Sequence, residues 1–141
     1  MTENPLVGAW RLVSCDFRSA DGQIRYPFGR DLAGYILYGQ DGYMSAAIMG
    51  GHRPRFAADD IRGGTTEEKV AASDGYISYA GRYEIQSDRV IHHIEVSFFP
   101  NWIGVDQERF FELDGDDLTL RTPFLPIDGI EQAAYLVWKR A

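Results

Sequence analysis

The chain has 141 residues, 45% of them hydrophobic and 25% charged, and this balance predicts one folded domain, residues 1–141, with a single core. Lys and Arg number 14 against 21 Asp and Glu, which gives a formal charge of −7. A negative surface repels phosphate groups, so we expect neither nucleic-acid binding nor attachment to an anionic membrane.

The chain also lacks the usual signals for export or membrane insertion. No apolar run approaches the ~20 residues that a membrane helix needs. The opening Met-Thr-Glu-Asn-Pro forms no apolar signal core. The single cysteine, Cys15, has no partner for an internal disulfide. We therefore expect a cytoplasmic protein in which Cys15 is a buried thiol.

The first third of the chain predicts two β-hairpins. Each consists of short segments with alternating side chains, separated by an Asp-Gly pair that suits a tight turn. The return arm of the second hairpin carries the small residues Ser45, Ala46 and Ala47, which leave room beside the strand for a neighbouring element or a ligand. The four predicted strands span 10–18, 23–26, 33–38 and 43–49.

A long connection rich in Gly, Pro and Arg follows, from Gly50 to Gly64. Thr65-Thr66-Glu67-Glu68 then has the pattern of a capping box, which predicts a helix over about 67–79. The apolar stripe of this helix is weak, so we expect it to cover something rather than lie in the core. The segment His52 to Tyr76 is therefore the candidate lid, or alternatively a plug at one end of the fold.

The rest of the chain predicts strands only, over 79–86, 89–99, 106–113, 118–122 and 132–139. Short strands joined by tight turns indicate an all-β fold built from an up-and-down antiparallel sheet. Closing the sheet removes its edges, and about eight strands enclose room for side chains or one small ligand. We predict an eight- to nine-stranded antiparallel β-barrel with one short inserted helix as lid or plug.

Several segments, in order along the chain, resemble the bacterial lipocalin-like domain family, whose members are relatives of the calycin barrels. The similarity covers nearly the whole sequence and includes the Gly-x-Trp opening of lipocalins at large. The segments that carry it are Leu6–Ser14, Tyr26–Gly29, Gly34-Tyr35 with Tyr38, Asp41–Met44, Gly81–Tyr83, His92–Glu95, Pro100–Gly104, Gln107 with Arg109, and Leu118–Leu120.

This resemblance implies a small β-barrel with an internal cavity, and it implies little about chemistry. In lipocalins a basic side chain near the last strand packs over the Trp of the opening motif. Lys139 or Arg140 is expected to take that place here, with Arg109 as a competitor.

The turn Asp114–Asp117 predicts which residues of the two strands around it face inward. It sets Leu113 opposite Leu118 and Phe111 opposite Leu120, and these apolar residues define the inner face. Gln107 and Arg109 follow on the same face. A guanidinium inside a barrel needs a carboxylate, hydroxyl groups or an anionic ligand, because an unpaired buried charge is very costly.

The facing of the predicted strand 89–99 stays open. A two-residue turn at Ser87-Asp88 puts His92 inside, whereas a longer turn with a bulge puts His93 and Glu95 inside. The match to the family's His-His-x-Glu segment favours the second arrangement. His93 and Glu95 would then form an acid/base pair, with Arg109 holding an oxyanion. A satisfied polar network without catalysis is the alternative.

The candidate site residues combine both arrangements. For catalysis they are His93 and Glu95. For ligand binding they are Tyr35, Tyr43, Ser45, Tyr83, His92, Ser97, Asn101, Trp102, Gln107, Arg109 and Tyr135. The aromatic members offer apolar faces with polar tips, as a ligand pocket requires.

We expect no metal site and no cofactor. Adjacent His92 and His93 point to opposite faces of a strand, and His52 lies in a distant loop, so no three-ligand set is visible. Three functions remain: binding of a small hydrophobic molecule, cofactor-free acid/base catalysis such as cyclisation, isomerisation or hydration, and a structural domain with a filled interior. A homodimer is left open as a further partner.

Overall fold

The computed structural model describes residues 4–141. They form ten β-strands, one α-helix and a short 3₁₀ turn. The strands are β1 (Gly8–Ser19), β2 (Ile24–Arg25), β3 (Leu32–Tyr38), β4 (Tyr43–Gly50), β5 (Tyr76–Gln86), β6 (Arg89–Ser97), β7 (Asp106–Asp114), β8 (Asp117–Arg121), β9 (Leu125–Ile127) and β10 (Ile130–Arg140). Helix α1 spans Thr66–Asp74, and the 3₁₀ turn spans Pro100–Trp102.

Eight of the strands close into an antiparallel barrel. Neighbours pair in the order β1-β3-β4-β5-β6-β7-β8-β10, and β10 pairs back with β1 over nine residue pairs. The short strands β2 and β9 extend the sheet beside β1 and β10. This architecture confirms the predicted all-β barrel with one short helix.

No helix among residues 4–141 is both long enough and apolar enough to cross a membrane.

One end of the barrel, called the closed end below, is sealed by the start of the chain. Leu6 and Trp10 are fully buried there, and the Trp10 indole N–H donates to the Leu6 carbonyl at 2.9 Å. The Arg140 guanidinium lies 4.1 Å from the centre of the Trp10 ring, a cation–π contact. Arg140 therefore takes the place over the opening Trp, while Lys139 points to Asp117 on the outside.

The opposite end, called the open end below, carries the inserted segment. Helix α1 begins at a complete capping box in which Thr65 and Glu68 bond each other's backbone N–H groups. It ends at Asp74, earlier than predicted, because Tyr76 already pairs with Met49 in the sheet. The helix buries none of its residues. A plug would bury apolar side chains, which this helix does not do, and the lid stays a prediction.

A cavity of about 750 Å³ lies between this helix and the loop before it. Its walls come from the loop that follows β4 and from one face of α1, including Arg53, Arg55, Phe56 and Ala71. Arg53 ties the two together by donating to the Ala72 carbonyl at 3.2 Å. The inserted segment thus forms a surface pocket of its own at the open end.

Candidate ligand-binding site

The facing of β6 is decided by the tight turn before it. Gln86 pairs with Arg89, so the turn has two residues, and Ser87 supplies the positive φ of 56° that such a turn needs. Tyr83 therefore lies opposite His92. Both side chains point into the barrel, where His92 is fully buried.

The prediction that His93 and Glu95 face the interior is wrong. His93 lies on the outer face of β6, between Asp106 on β7 (2.7 Å from Nδ1) and Glu84 on β5 (2.9 Å from Nε2). Glu95 is exposed and lies 3.6 Å from the Arg82 side chain. The physical reason is the two-residue turn, which fixes the register before these residues are reached.

A β-bulge does occur in β6, but at its far end. Gly81 pairs with Ile94 and Ala80 with Val96, so Glu95 is the extra residue. The bulge reverses the alternation for the residues that follow. Ser97 consequently faces inward opposite Tyr79, and its Oγ is buried without a hydrogen-bond partner in the part of the chain that the structure describes.

Strand β7 brings Gln107 and Arg109 to the inner wall, as the register of the β7–β8 turn predicts. Leu113 pairs with Leu118, and Phe111 with Leu120. Gln107 lies opposite His92 and is buried. The Arg109 guanidinium donates to the Gln107 side-chain oxygen and to the Glu108 carbonyl. Among the ion pairs formed within residues 4–141, none involves Arg109.

These side chains meet two tyrosines in a connected set on the inner wall. The Tyr38 hydroxyl lies 2.7 Å from Nε2 of His92, and the Tyr79 hydroxyl lies 3.3 Å from its Nδ1. The Arg109 charge acts on Tyr79 as well, opposing the rise that burial causes in the pKa of its hydroxyl. We call this set the inner polar cluster; its members are Tyr38, Tyr79, His92, Gln107 and Arg109.

Burial sets the protonation of the cluster. It lowers the pKa of His92 to about 3, and the nearby Arg109 charge acts in the same direction. Burial also raises the pKa of the Tyr38 and Tyr79 hydroxyls, against the opposing effect of Arg109. The cluster therefore holds a neutral imidazole, two protonated phenols and one positive charge around neutral pH.

Aromatic side chains lie beside the cluster toward the open end. The Trp102 ring contacts Tyr79 edge to face, with 5.7 Å between ring centroids, and Phe99 contacts Trp102 in the same way at 5.6 Å. Asn101, another predicted site residue, is exposed in the 3₁₀ turn. The turn therefore supplies an apolar wall through Trp102, while the Asn101 side chain points away.

Four further candidates lie on the outer surface. Tyr35, Tyr43 and Ser45 are exposed on β3 and β4, and Tyr135 stacks under the Arg18 guanidinium at 3.9 Å. Tyr83 does face inward, but its hydroxyl donates to the Gly39 carbonyl at 2.6 Å near the closed end. The structure thus brings His92, Ser97, Trp102, Gln107 and Arg109 together and separates the other predicted ligand-binding residues from them.

Two members of the cluster, Tyr38 and Tyr79, were not among the predicted site residues. The signal for Tyr79 was present, because it lies four residues before Tyr83 and so shares the face that a two-residue turn places with His92. Tyr38 shares a face with Ile36, but β3 is apolar on both faces, so alternation does not distinguish Tyr38 from Tyr35.

No group of three or more His, Cys, Asp or Glu side chains within residues 4–141 is arranged to hold a metal ion. His93 has two carboxylate neighbours, but each faces a different ring nitrogen. His93, Glu84 and Asp106 therefore form hydrogen-bonded ion pairs on the outer face of the barrel.

Comparison with known proteins agrees with this architecture. A family model described as the lipocalin-like domain matches residues 7–141. The 4'-hydroxy-3'-methoxypropiophenone carrier protein of Aspergillus oryzae is 39% identical over 106 residues, which are 69% of this chain and 96% of the relative. No solved structure matches significantly. Because the family model spans the barrel from its first strand to its last, the chain belongs to the lipocalin-like domain family.

Proposed function

We propose that the barrel binds a small, largely hydrophobic molecule through a carbonyl or anionic group that meets the inner polar cluster. The observation that carries this proposal is the Arg109 guanidinium, which lies on the inner wall and forms no ion pair within residues 4–141. A charge on an apolar wall is stabilised by an oxygen acceptor beside it. Gln107 and Glu108 supply two uncharged oxygens, and a ligand oxygen would add a further acceptor for the remaining N–H groups.

The relative from Aspergillus oryzae supports this ligand class. Its name says that it carries 4'-hydroxy-3'-methoxypropiophenone. That molecule is an aryl ketone, with a flat apolar ring and one carbonyl oxygen. Such a molecule suits a wall that combines aromatic side chains with a few directed donors. We therefore take aryl ketones as the first ligands to test.

The ligand would lie toward the open end. Large side chains fill the closed half of the interior, where Trp10, Tyr38, Tyr83 and Trp138 are all buried. Above them stand Tyr79 and Trp102, with the exposed apolar side chains of Phe98, Phe99 and Ile103 at the rim. A hydrophobic molecule would cross this rim and be covered by the inserted segment that carries α1.

Acid/base catalysis has less support from the same cluster. The residues first expected to carry it, His93 and Glu95, lie outside the barrel. Inside, the pKa of His92 is lowered to about 3 and those of both tyrosines are raised, so no member changes its charge near neutral pH. Binding without turnover is the function that fits these groups.

Isothermal titration calorimetry with 4'-hydroxy-3'-methoxypropiophenone tests the proposal. We expect saturable binding at one molecule per chain. The variant Arg109→Met should bind roughly 10- to 100-fold more weakly, since a hydrogen bond to a charged group contributes about 1.5–3 kcal/mol. The matched control is Arg82→Met, which removes an arginine of the outer face and should leave the affinity unchanged.

Two results would overturn the proposal. One is the absence of saturable binding for a panel of aryl ketones and aryl carboxylates. The other is an affinity that falls equally in Arg82→Met and Arg109→Met, because it would place binding outside the inner wall. Conversion of the ketone during the titration would instead establish the enzyme alternative.

A further inference from the structure

The hydrogen bonds of the inner polar cluster run in one direction, which follows from the number of protons on its members. A neutral imidazole has one N–H donor and one acceptor nitrogen. His92 is neutral and contacts one tyrosine hydroxyl at each nitrogen. It must therefore accept a hydrogen bond from one tyrosine and donate a hydrogen bond to the other. Which tyrosine donates decides what the cluster offers to a ligand.

Tyr38 is the tyrosine that donates. It is almost fully buried. Within residues 4–141, its hydroxyl forms a hydrogen bond with His92. A buried hydroxyl that kept its proton unbonded would cost about 1–3 kcal/mol. The distances agree, because 2.7 Å to Nε2 suits an O–H donor and 3.3 Å at Nδ1 suits a longer N–H contact.

The proton on Tyr79 is consequently free for a ligand. Its oxygen receives the Nδ1–H of His92, so its own O–H is directed away from the imidazole. Arg109 has five N–H groups and uses only some of them on Gln107 and Glu108. Donors thus outnumber acceptors at this point of the wall. Ser97, which pairs with Tyr79 in the register of β5 and β6, has a hydroxyl that is buried and unpartnered within residues 4–141.

We infer that Tyr38 and His92 form a relay that fixes the Tyr79 O–H as a hydrogen-bond donor to the ligand, so that the barrel selects a carbonyl group over an apolar group of the same shape. This inference rests on the proposed function. Tyr79 and Arg109 contact the ligand carbonyl, whereas Tyr38 and His92 are positioning residues that act through Tyr79. The ligand class narrows to ketones, aldehydes and carboxylates that carry an aryl ring.

Two probes that differ only at the carbonyl test this selectivity. They are 4'-hydroxy-3'-methoxypropiophenone and 2-methoxy-4-propylphenol, in which a methylene replaces the carbonyl. The wild-type protein should prefer the ketone by roughly 10-fold or more, since a buried donor left unpaired costs about 1–3 kcal/mol. Tyr79→Phe should reduce this preference by roughly 10-fold. Tyr83→Phe, an inner-wall control at the closed end, should keep it.

The imidazole tautomer gives a readout that loss of structure does not mimic. Nitrogen-15 NMR of wild-type protein should show the proton of His92 on Nδ1 and a bare Nε2. In Tyr38→Phe the Nε2 lone pair loses its donor, the imidazole proton is free to move to Nε2, and Nδ1 then accepts a hydrogen bond from the Tyr79 hydroxyl. Ketone preference should fall in that variant although Tyr38 does not touch the ligand.

The outcomes separate the inference from the function beneath it. Failure of both probes to bind wild-type protein overturns the proposed function, and the relay's role with it. Equal binding of the two probes overturns the inference and leaves a hydrophobic carrier. A wild-type His92 protonated on Nε2 also overturns it, because Tyr79 would then donate to the imidazole and have no proton for the ligand.

Discussion

His92 and His93 are neighbours in the chain, yet one lies inside the barrel and the other on its outer face. His92 lies inside the barrel between two tyrosines, and burial lowers its pKa to about 3. His93 lies outside between Asp106 and Glu84, whose hydrogen bonds raise its pKa. The two side chains leave β6 on opposite faces. The imidazole of His92 is neutral and hydrogen-bonded to tyrosines, whereas His93 is hydrogen-bonded to carboxylates on both neighbouring strands.

The difference shows that the residue type alone does not assign a role on a strand. Two histidines, one serine and one glutamate in β6 were all chemically suited to a site. The register at the Ser87-Asp88 turn and the bulge at Glu95 decided which of them face inward. Substitutions that disturb the register of β6, the contacts of His92 or the contacts of His93 therefore each test this difference between the two histidines.

Gly81→Ala should have the largest effect on stability, because it disturbs the β-bulge at Glu95 in β6. A Cβ at Gly81 would stand 1.9 Å from the His93 carbonyl oxygen, which is part of the backbone and cannot rotate away. We expect a loss of about 3 kcal/mol in the free energy of unfolding, measured by urea denaturation. Gly50→Ala is the control, since its nearest atom would lie at 3.6 Å. Equal effects of the two changes would contradict the role of the bulge.

His92→Leu removes the inner member of the pair and leaves the Tyr38 hydroxyl without its partner. The expected cost is about 2 kcal/mol of unfolding free energy. Adding Tyr38→Phe should recover about 1 kcal/mol, because the orphaned hydroxyl is gone, and a double-mutant cycle measures that coupling. Strict additivity of the two changes would show that the Tyr38–His92 bond contributes nothing.

His92 should also affect how the free energy of unfolding changes at acidic pH. Its folded pKa lies below the ordinary value of 6.5, so between about 6.5 and about 3 the unfolded chain binds a proton that the folded chain does not. Unfolding free energy should therefore fall as the pH drops, by about 1.4 kcal/mol per pH unit from this group. Denaturation at several pH values should show a slope smaller by that amount in His92→Leu. An unchanged slope would mean that His92 is not buried neutral.

His93 should affect the free energy of unfolding above pH 6.5, and by a smaller amount. Its folded pKa is raised, so its contribution is complete below the ordinary value of 6.5 and is lost as the pH rises through the raised pKa. The partners are exposed, which limits the effect to under about 1 kcal/mol. His93→Gln should remove this alkaline loss of stability, and added salt should reduce it in the wild-type protein. A loss that salt leaves unchanged would argue against surface ion pairs.

Much of the barrel was predictable because its strands are bounded by strong turn signals. The Asp-Gly turn at Asp41-Gly42 and the turn at Asp114–Asp117 fix the registers of β3–β4 and β7–β8. Strand β9 was not predicted, since a proline interrupts it and it has only three residues. The helix ended early for a similar reason, because pairing with β4 overrides the helical tendency of the chain near Tyr76.

The site was predictable only where an apolar face gave a reference. Arg109 and Gln107 follow the leucines of β8 into the barrel, and the register confirms this. The sequence does not show which of Tyr35 and Tyr38 faces inward, because Leu37 makes the outer face of β3 apolar as well. The inward turn of Ser97 depends on a bulge whose cause, a glycine facing the His93 carbonyl, acts across strands. The homodimer stays a prediction, with Tyr35, Leu37 and Tyr43 as exposed apolar residues of the outer wall.

The two adjacent imidazoles also provide the most direct test of ligand binding inside the barrel. Their long-range proton–nitrogen NMR spectra can be recorded while 4'-hydroxy-3'-methoxypropiophenone is added. We predict that the His92 resonances shift and saturate at one equivalent of ketone, while those of His93 stay in place. Binding that shifts His93 and leaves His92 unchanged would place the ligand on the outer wall and contradict the account.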